Sequence, residues 1–237
     1  MIGDVRRFPN GAALAEAAAG HIVEAAWASV RARGRFLWVL SGGQTPVPVY
    51  RRLASWSPFP WAATHAFWGD ERCVALTDPA SNAGTALRTL LERVPIPRSQ
   101  IHLPPAQVLP PEAAARDWEA DLHDFFGSEP SPTFDLVLLG LGADGHTASL
   151  FPGDPAAEEE NRWTAAVTGK GASPPVPRIT LTIPALRGAR AALFLAMGRE
   201  KVELATRIVA EDSMTHSYPA ARVHVATGAT WYLAERG

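Results

Sequence analysis

His146 stands in a glycine-rich segment, LLGLGADGHTASLFPG, that follows an apolar run typical of a buried strand. Histidine can both accept and donate a proton near neutral pH, which makes it the usual general acid or base. Asp144, two residues earlier, is placed to orient the imidazole ring. We therefore predict that His146 and Asp144 form a catalytic pair; capping of a short following helix is the alternative role for His146.

The same segment contains Gly140, Gly142 and Gly145 in the order G-x-G-x-x-G. In a dinucleotide-binding loop the last glycine opens a full helix, and an acidic residue follows about twenty residues after the first. Here Pro152 and Gly153 would end a helix within about two turns, and the later stretch is Asn-Arg-Trp-Thr. The motif therefore does not predict a bound dinucleotide.

A second glycine-rich segment, SGGQTP, lies between an apolar run and a helix-like stretch. Gly42 and Gly43 can turn backbone N–H groups toward one point, and Ser41 and Thr45 add hydroxyl groups at a helix N-terminus. The lysine that ends a nucleotide-binding P-loop is absent. We predict a phosphate-binding loop; a tight turn that leads into a helix at Pro46 is the alternative.

Two basic residues could complete a phosphate site. Arg178 begins the segment RITLTIPAL, and Lys201 lies in the predicted first turn of a helix after Gly198. A cation at a helix N-terminus is unfavourable unless an anion is nearby. We predict that Arg178 and Lys201 bind the phosphate, with solvated surface charges as the alternative.

The segment WGDERC places Asp70, Glu71 and Arg72 directly after an apolar stretch. A solvated turn is one explanation for three successive charges. The other explanation is that the strand ends in a cleft and places these side chains there. We predict that Arg72 stabilises an oxyanion in such a cleft and that Asp70 also has a catalytic role.

Cys73, the only cysteine, is predicted to be a core thiol. The nearby segment SNAGTA is predicted to cap a helix through Ser81 or Asn82.

Composition restricts the classes of protein to which the chain can belong. It has 237 residues, 47% of them apolar, and a formal net charge of −2. We expect residues 1–237 to form one domain that acts in the cytoplasm on a small molecule, with no nucleic-acid or membrane partner. No metal or other cofactor is expected. A monomer is the expected state, although composition and motifs do not determine the oligomeric state.

Apolar segments alternate with amphipathic ones along the chain. Strands are predicted at RFLWVL, HAFWGDE, FDLVLLGL, RITLTI and AALFLAM, with helices between or after them. The longest predicted helix, GAALAEAAAGHIVEAAWASVRAR, has Asn10 as its cap and Gly34 as its stop. This alternation predicts an α/β fold: a largely parallel, Rossmann-like sheet with helices on both faces. Ligands of such folds bind at the carboxyl ends of the strands, where the polar loops lie.

Taken together, the motifs SGGQTP, GDERCV, SNAGTA, LGLGADGHTASLFPG and RITLTIPAL with LFLAMGREK resemble the 6-phosphogluconolactonase family in order and spacing. The resemblance covers approximately residues 35–205. It implies hydrolysis of 6-phospho-D-glucono-1,5-lactone to 6-phosphogluconate, the second step of the oxidative pentose phosphate pathway, without metal or nucleotide. It weakens toward the C-terminus, where Pro219 and Ala220 fit the pattern but Ala234 replaces an acid frequent in relatives.

Glucosamine-6-phosphate deaminases are similar through GG-x-TP and DGH, and give the main alternative. They typically have Met-Asp-Glu-Tyr where this chain has Gly69 to Arg72, and a segment ending Phe-Asn-Glu-Pro after DGH. Here that segment is Thr147 to Pro152 and lacks the acid. The lactonase form is thus present at both places. A sugar-phosphate-binding protein without catalysis is the third hypothesis.

Overall fold

The computed structural model describes residues 3–127, 129–169 and 171–236. Its strands, in chain order, are β1 (Gly3–Phe8), β2 (Phe36–Leu40), β3 (Thr64–Trp68), β4 (Asp70–Arg72), β5 (Leu136–Gly140), β6 (Thr164–Val167), β7 (Arg178–Leu181), β8 (Ala192–Met197) and β9 (Ala229–Ala234). Its α-helices are α1 (Gly11–Arg33), α2 (Val47–Ala54), α3 (Asn82–Thr89), α4 (Pro111–Phe126), α5 (Ile183–Arg187), α6 (Arg199–Val209) and α7 (Pro219–Arg222). Within the described residues no helix has the length and apolar content of a membrane span.

Six strands form the main sheet in the order β1-β9-β8-β5-β2-β3, and every neighbouring pair is parallel. The central strands consist of apolar residues that are buried on both faces, as a sheet covered by helices requires. The predicted α/β fold with a largely parallel sheet is confirmed.

Alternate residues of the central strands belong to two separate cores. Leu138 faces a cluster that includes residues of α1, α2 and α3, whereas Leu139 faces a cluster that includes residues of α4, α5 and α6. This separation follows from the two-residue period of a strand, which sends successive side chains to opposite faces. Helices therefore cover both faces, and the carboxyl edge of the sheet remains open for a site.

Helix α1 has the predicted ends. The Asn10 Oδ1 accepts a hydrogen bond from the Ala13 N–H at 2.9 Å, and Gly34 adopts a left-handed conformation with φ 76°. Its buried residues Leu14, Ala18, Ile22 and Ala26 recur at helical spacing on the face that packs on the sheet. Local signals at both ends, with one apolar stripe between them, specify this helix.

A second, smaller sheet was not predicted. It has the order β4-β7-β6 and is antiparallel, so RITLTI contributes a strand here and not to the main sheet. At Gly69 the chain passes between the sheets: its N–H donates to Leu40 O at 3.0 Å, and its carbonyl accepts from Leu181 N at 2.8 Å. HAFWGDE is therefore two strands, and strands β1, β6 and β9 were missed.

Candidate active site

The polar loops after β2, β3, β5 and β8 meet at the carboxyl edge of the main sheet, around a cleft of about 240 Å³. Asp144 is the one predicted site residue that does not line the cleft, and it contacts His146, which does. The predicted site residues that line the cleft are Ser41, Gly42, Gly43, Thr45, Asp70, Arg72, His146, Arg178 and Lys201.

His146 and Asp144 form a close pair at the end of β5. The Asp144 Oδ1 lies 2.5 Å from the His146 Nδ1 and also accepts a hydrogen bond from the His146 backbone N–H at 3.2 Å. Because an ionised carboxylate can only accept, this contact requires the proton on Nδ1, and in the neutral imidazole Nε2 then keeps its lone pair. The imidazole ring is about one-third exposed and packs at 4.6 Å from the Phe151 ring. This tautomer is the one that a general base requires.

The glycines beside His146 have structural roles. A β-carbon on Gly142 would lie 2.1 Å from the His146 Nδ1, so only glycine leaves room for the histidine–aspartate pair. Gly145 has φ 84° and packs against Tyr218, and its carbonyl accepts from Ala220 N at 3.1 Å. The C-terminal segment thus supports this loop.

The short helix expected after Gly145 does not form. Turns and an isolated bridge between Thr147 and Leu150 follow instead. The structure therefore agrees that no dinucleotide-binding helix begins here, and helix capping by His146 is wrong. Ala148, which lines the cleft, has a positive φ of 49°, a strained conformation for a residue with a β-carbon. Strain of this kind persists where the surrounding structure enforces it, which is frequent at functional sites.

The start of the SGGQT loop is hydrogen-bonded to Tyr50 of α2. The buried Tyr50 hydroxyl donates to Ser41 O at 2.6 Å and accepts from Ser41 N at 2.9 Å, which fixes the start of the loop. Helix α2 begins at Val47, one residue later than the turn interpretation placed it, and Pro46 supplies no side-chain hydrogen bond to its N-terminus. The helix N-terminus and the loop therefore meet at the cleft, in the arrangement typical of anion sites.

Arg72 and Arg178 are paired residues of the antiparallel strands β4 and β7, and both line the cleft. Like charges opposite each other destabilise a sheet, so this pairing favours a bound anion. The Nε of each guanidinium is buried without a partner in the described part of the chain. Burial lowers the pKa of Arg178, which is only 3% exposed. The interpretation of Arg178 as a solvated surface charge is therefore wrong.

Lys201 also lines the cleft and adds to its positive charge. It lies in the first turn of α6, whose N-cap Gly198 offers no side chain to the free N–H groups. Within the described ranges the Lys201 side chain has no hydrogen-bond or ion-pair partner. An anion at this point would offset both the unpaired ammonium and the helix N-terminus.

Asp70 is buried and held by two neighbours that the sequence did not identify as site residues. Ser149 Oγ donates to Asp70 Oδ2 at 2.5 Å, and Asn82 Nδ2 donates to the Asp70 carbonyl at 2.9 Å. The Asn82 side chain also fills the space beside Gly42, which connects Asp70 to the phosphate-binding loop. In the sequence, only the positions of Ser149 and Asn82 within the motifs TASLFP and SNAGTA could have indicated that these residues belong to the site.

Glu71 has a structural role. Its carboxylate is 2% exposed and accepts hydrogen bonds from the Ser81 hydroxyl and from the backbone N–H groups of Arg72, Asn82 and Ala83. Burial raises the pKa of Glu71, and these donors oppose that shift. The solvated-turn interpretation of GDERC is wrong for Asp70 and Glu71, since both are buried. Glu71 fastens the N-terminus of α3 to β4, with Ser81 as the N-cap.

Cys73 follows this network and is partly buried against the core. Burial and the nearby Glu71 and Glu112 carboxylates raise the pKa of the thiol to about 11. The thiol therefore stays protonated near neutral pH, unlike a catalytic nucleophile.

Fold and cleft together define an α/β protein with a glycine-rich loop, a group of cationic side chains and a histidine–aspartate pair at the carboxyl edge of a parallel sheet. Residues 9–232 match the model of the family described as glucosamine-6-phosphate isomerases/6-phosphogluconolactonase, to which the chain therefore belongs. A 6-phosphogluconolactonase from Synechocystis is 40% identical, over 86% of this chain and 84% of its own. A 6-phosphogluconolactonase from Homo sapiens is 38% identical, over 95% of this chain and 87% of its own.

Solved structures agree with this assignment. A 6-phosphogluconolactonase from Thermotoga maritima has a TM-score of 0.86 and 29% identity, with 98% of this chain and 99% of that chain covered. A monomeric glucosamine-6-phosphate deaminase, at 21% identity and a TM-score of 0.80, shares the fold. The predicted family and the predicted enzyme of the 6-phosphogluconolactonase type are confirmed.

Proposed function

We propose that this enzyme hydrolyses 6-phospho-D-glucono-1,5-lactone to 6-phosphogluconate, the second step of the oxidative pentose phosphate pathway. The observation that carries the proposal is the His146–Asp144 pair beside a cleft lined by cationic groups. The names of the similar curated proteins support the same substrate.

In this proposal the substrate phosphate binds to the loop from Ser41 to Thr45, with Arg178 and Lys201 as its cationic partners. A phosphate monoester carries close to two negative charges near neutral pH, which two cations and several N–H donors can match. These groups lie in the same cleft as His146. Anchoring the phosphate at one end would hold the lactone carbonyl near the imidazole at the other.

The chemistry requires one base that later acts as an acid. Neutral His146 accepts a proton at Nε2 from a water molecule as the water oxygen attacks the lactone C1. The tetrahedral intermediate then collapses, the bond between C1 and the ring oxygen breaks, and His146 returns the proton to that oxygen. The new carboxylic acid releases a proton to solvent. Asp144 stabilises the transient imidazolium ion.

Arg72 is assigned to the negative charge that develops on the carbonyl oxygen. Its Nη1 is fixed by a hydrogen bond to Ala80 O at 2.6 Å, so the guanidinium is oriented before substrate binds. Preorganised donors of this kind need no rearrangement in the transition state. Asp70, beside Arg72 on β4, is assigned to a sugar hydroxyl or to the positioning of Arg72.

The direct test follows freshly generated 6-phosphogluconolactone with the spontaneous hydrolysis rate subtracted, and offers glucosamine 6-phosphate in parallel. We expect accelerated loss of the lactone and no ammonia from the amino sugar. Ammonia release would favour the deaminase. Saturable 6-phosphogluconate binding without turnover of either substrate would favour the non-catalytic hypothesis.

The deaminase alternative receives less support from the site. Its acidic segment after DGH is replaced by residues 147–152, which contain no carboxylate. In this segment Ser149 donates to Asp70 and Phe151 packs on His146. We accordingly retain the lactonase as the proposed function.

Lys201→Ala should raise KM by roughly tenfold and leave kcat nearly unchanged, because the lost charge-assisted contact to phosphate exists in substrate and transition state alike. Arg199→Ala is the matched control, since Arg199 lies in the same helical turn but is exposed and paired with Glu203 at 3.0 Å. Steady-state kinetics of both variants make the comparison. An unchanged KM in Lys201→Ala would remove Lys201 from the phosphate site.

Cytoplasmic location, a monomeric state and the single domain of residues 1–237 stay predictions.

A further inference from the structure

Ser149 stands between two buried groups of opposite charge. Its side chain is fully buried, and its Oγ donates to Asp70 Oδ2 at 2.5 Å and accepts from Arg178 Nη1 at 3.4 Å. The Ser149 backbone N–H is also within 3.3 Å of Thr180 Oγ1 on β7. The hydroxyl is thus held from several directions in one place.

Asp70 and Arg178 do not form a direct ion pair in the described part of the chain, although their charges are close enough to interact. Both side chains are at least nine-tenths buried, where attraction between opposite charges is stronger than at the surface. A closed pair would engage the guanidinium with a carboxylate and reduce what it can offer to another anion.

We propose that Ser149 is a positioning residue that keeps Asp70 and Arg178 apart, so that the Arg178 guanidinium stays available to the substrate phosphate. The hydroxyl satisfies Asp70 with a hydrogen bond and leaves Arg178 bonded to neutral oxygens instead of to a carboxylate. Arg178 is held at its other side by the bond from Nη2 to Pro174 O at 2.9 Å. This inference rests on the phosphate role given to Arg178 in the proposed function.

Removal of the hydroxyl should allow the two charges to close on each other. Ser149→Ala leaves space between them, and Arg178 Nη1, which already contacts the Ser149 hydroxyl, is placed to replace the donor that Asp70 Oδ2 loses. We expect binding of inorganic phosphate, measured by isothermal titration calorimetry, to weaken by roughly tenfold, the effect of one lost charge-assisted hydrogen bond.

The deciding comparison repeats Ser149→Ala in the Asp70→Asn background. Without the carboxylate no ion pair can form, so Ser149→Ala should then change phosphate affinity by less than about twofold, since coupled residues give non-additive effects. If Ser149 only supports the loop, phosphate affinity would fall equally in both backgrounds, and that result would overturn the proposal. The proposal would also be overturned if Ser149→Ala alone, with Asp70 unchanged, did not lose affinity for phosphate.

Thr147→Val is the matched control. Thr147 is equally buried on the same loop, but its hydroxyl donates to Gly140 O at 2.8 Å and has no charged partner in the described structure. Its phosphate affinity should match that of the unsubstituted enzyme. Ser149→Cys, which is similar in shape to serine but slightly larger and a weaker donor, replaces Ser149→Ala in both backgrounds if that variant does not fold.

Phosphate binding and lactone hydrolysis are separate measurements. If the enzyme hydrolyses the lactone but shows no coupling between Ser149 and Asp70, the positioning role of Ser149 is refuted and the proposed function stands. An enzyme that binds phosphate with the expected coupling but does not hydrolyse the lactone would refute the proposed function alone. If the unsubstituted enzyme does not bind phosphate, both the phosphate site and the positioning role of Ser149 are refuted.

Discussion

Replacement of His146 by alanine is expected to lower kcat for the lactone by roughly 10²–10⁴, the range typical for loss of a general base. The Nδ1 of His146 is committed to Asp144, so Nε2 is the basic atom that the variant loses. Binding of 6-phosphogluconate should stay within about threefold of normal, because the phosphate contacts are made by other residues. Steady-state kinetics and calorimetry measure the two quantities separately.

His123→Ala is the control for this prediction. His123 stacks on Trp163 at 3.8 Å and does not line the cleft, so its kcat should be normal. A normal kcat in His146→Ala would contradict the assignment.

Asp144 belongs to the same test. Asp144→Asn should also reduce kcat, since the amide can donate to Nδ1 and favour the tautomer that leaves Nε2 protonated. An Asp144→Asn enzyme with normal kcat would show that another group orients His146.

Replacement of Arg72 by alanine is expected to lower kcat by roughly 10²-fold, which corresponds to about 3 kcal/mol of transition-state stabilisation from one oxyanion donor. KM should change less, because the charge on the carbonyl oxygen develops only as water attacks. Arg72→Lys should recover part of kcat: it keeps the charge but loses the planar guanidinium.

The matched control for this prediction is Arg88→Ala. Arg88 also donates to a backbone carbonyl, Leu76 O at 3.2 Å, but it is exposed and lies outside the cleft. Thermal unfolding of both variants separates loss of stability from loss of catalysis. If Arg72→Ala instead raised KM with a normal kcat, Arg72 would be assigned to the phosphate beside its strand partner Arg178.

Much of the candidate site could be predicted from the sequence, because the patterns that indicate its loops and strands are local. Apolar runs followed by polar glycine-rich loops identify strands and their carboxyl ends, and parallel strands bring those ends to one edge. Residues of SGGQT, GDER and DGH, which are distant along the chain, could therefore be assigned to one cleft from the sequence. Asn10 and Gly34 specified α1 for the same reason, since caps act within one turn.

The small sheet and the contacts around Asp70 could not be predicted in this way. Strand β4 is three charged residues, Asp70 to Arg72, with no apolar alternation to indicate a strand. It forms because Arg178 to Thr180 of β7 pair with it, more than a hundred residues later. That pairing is also what brings Arg72 and Arg178 side by side.

The α/β class, the open edge of the sheet and the types of residue that meet there could all be predicted from the sequence, because each follows from short-range periodicity and turn chemistry. Which charges are buried and which are paired depends on tertiary contacts. Ser149 reaches Asp70 across 79 positions of the chain. A contact of that range depends on the packing of the whole molecule, and leaves no pattern in the residues around either partner.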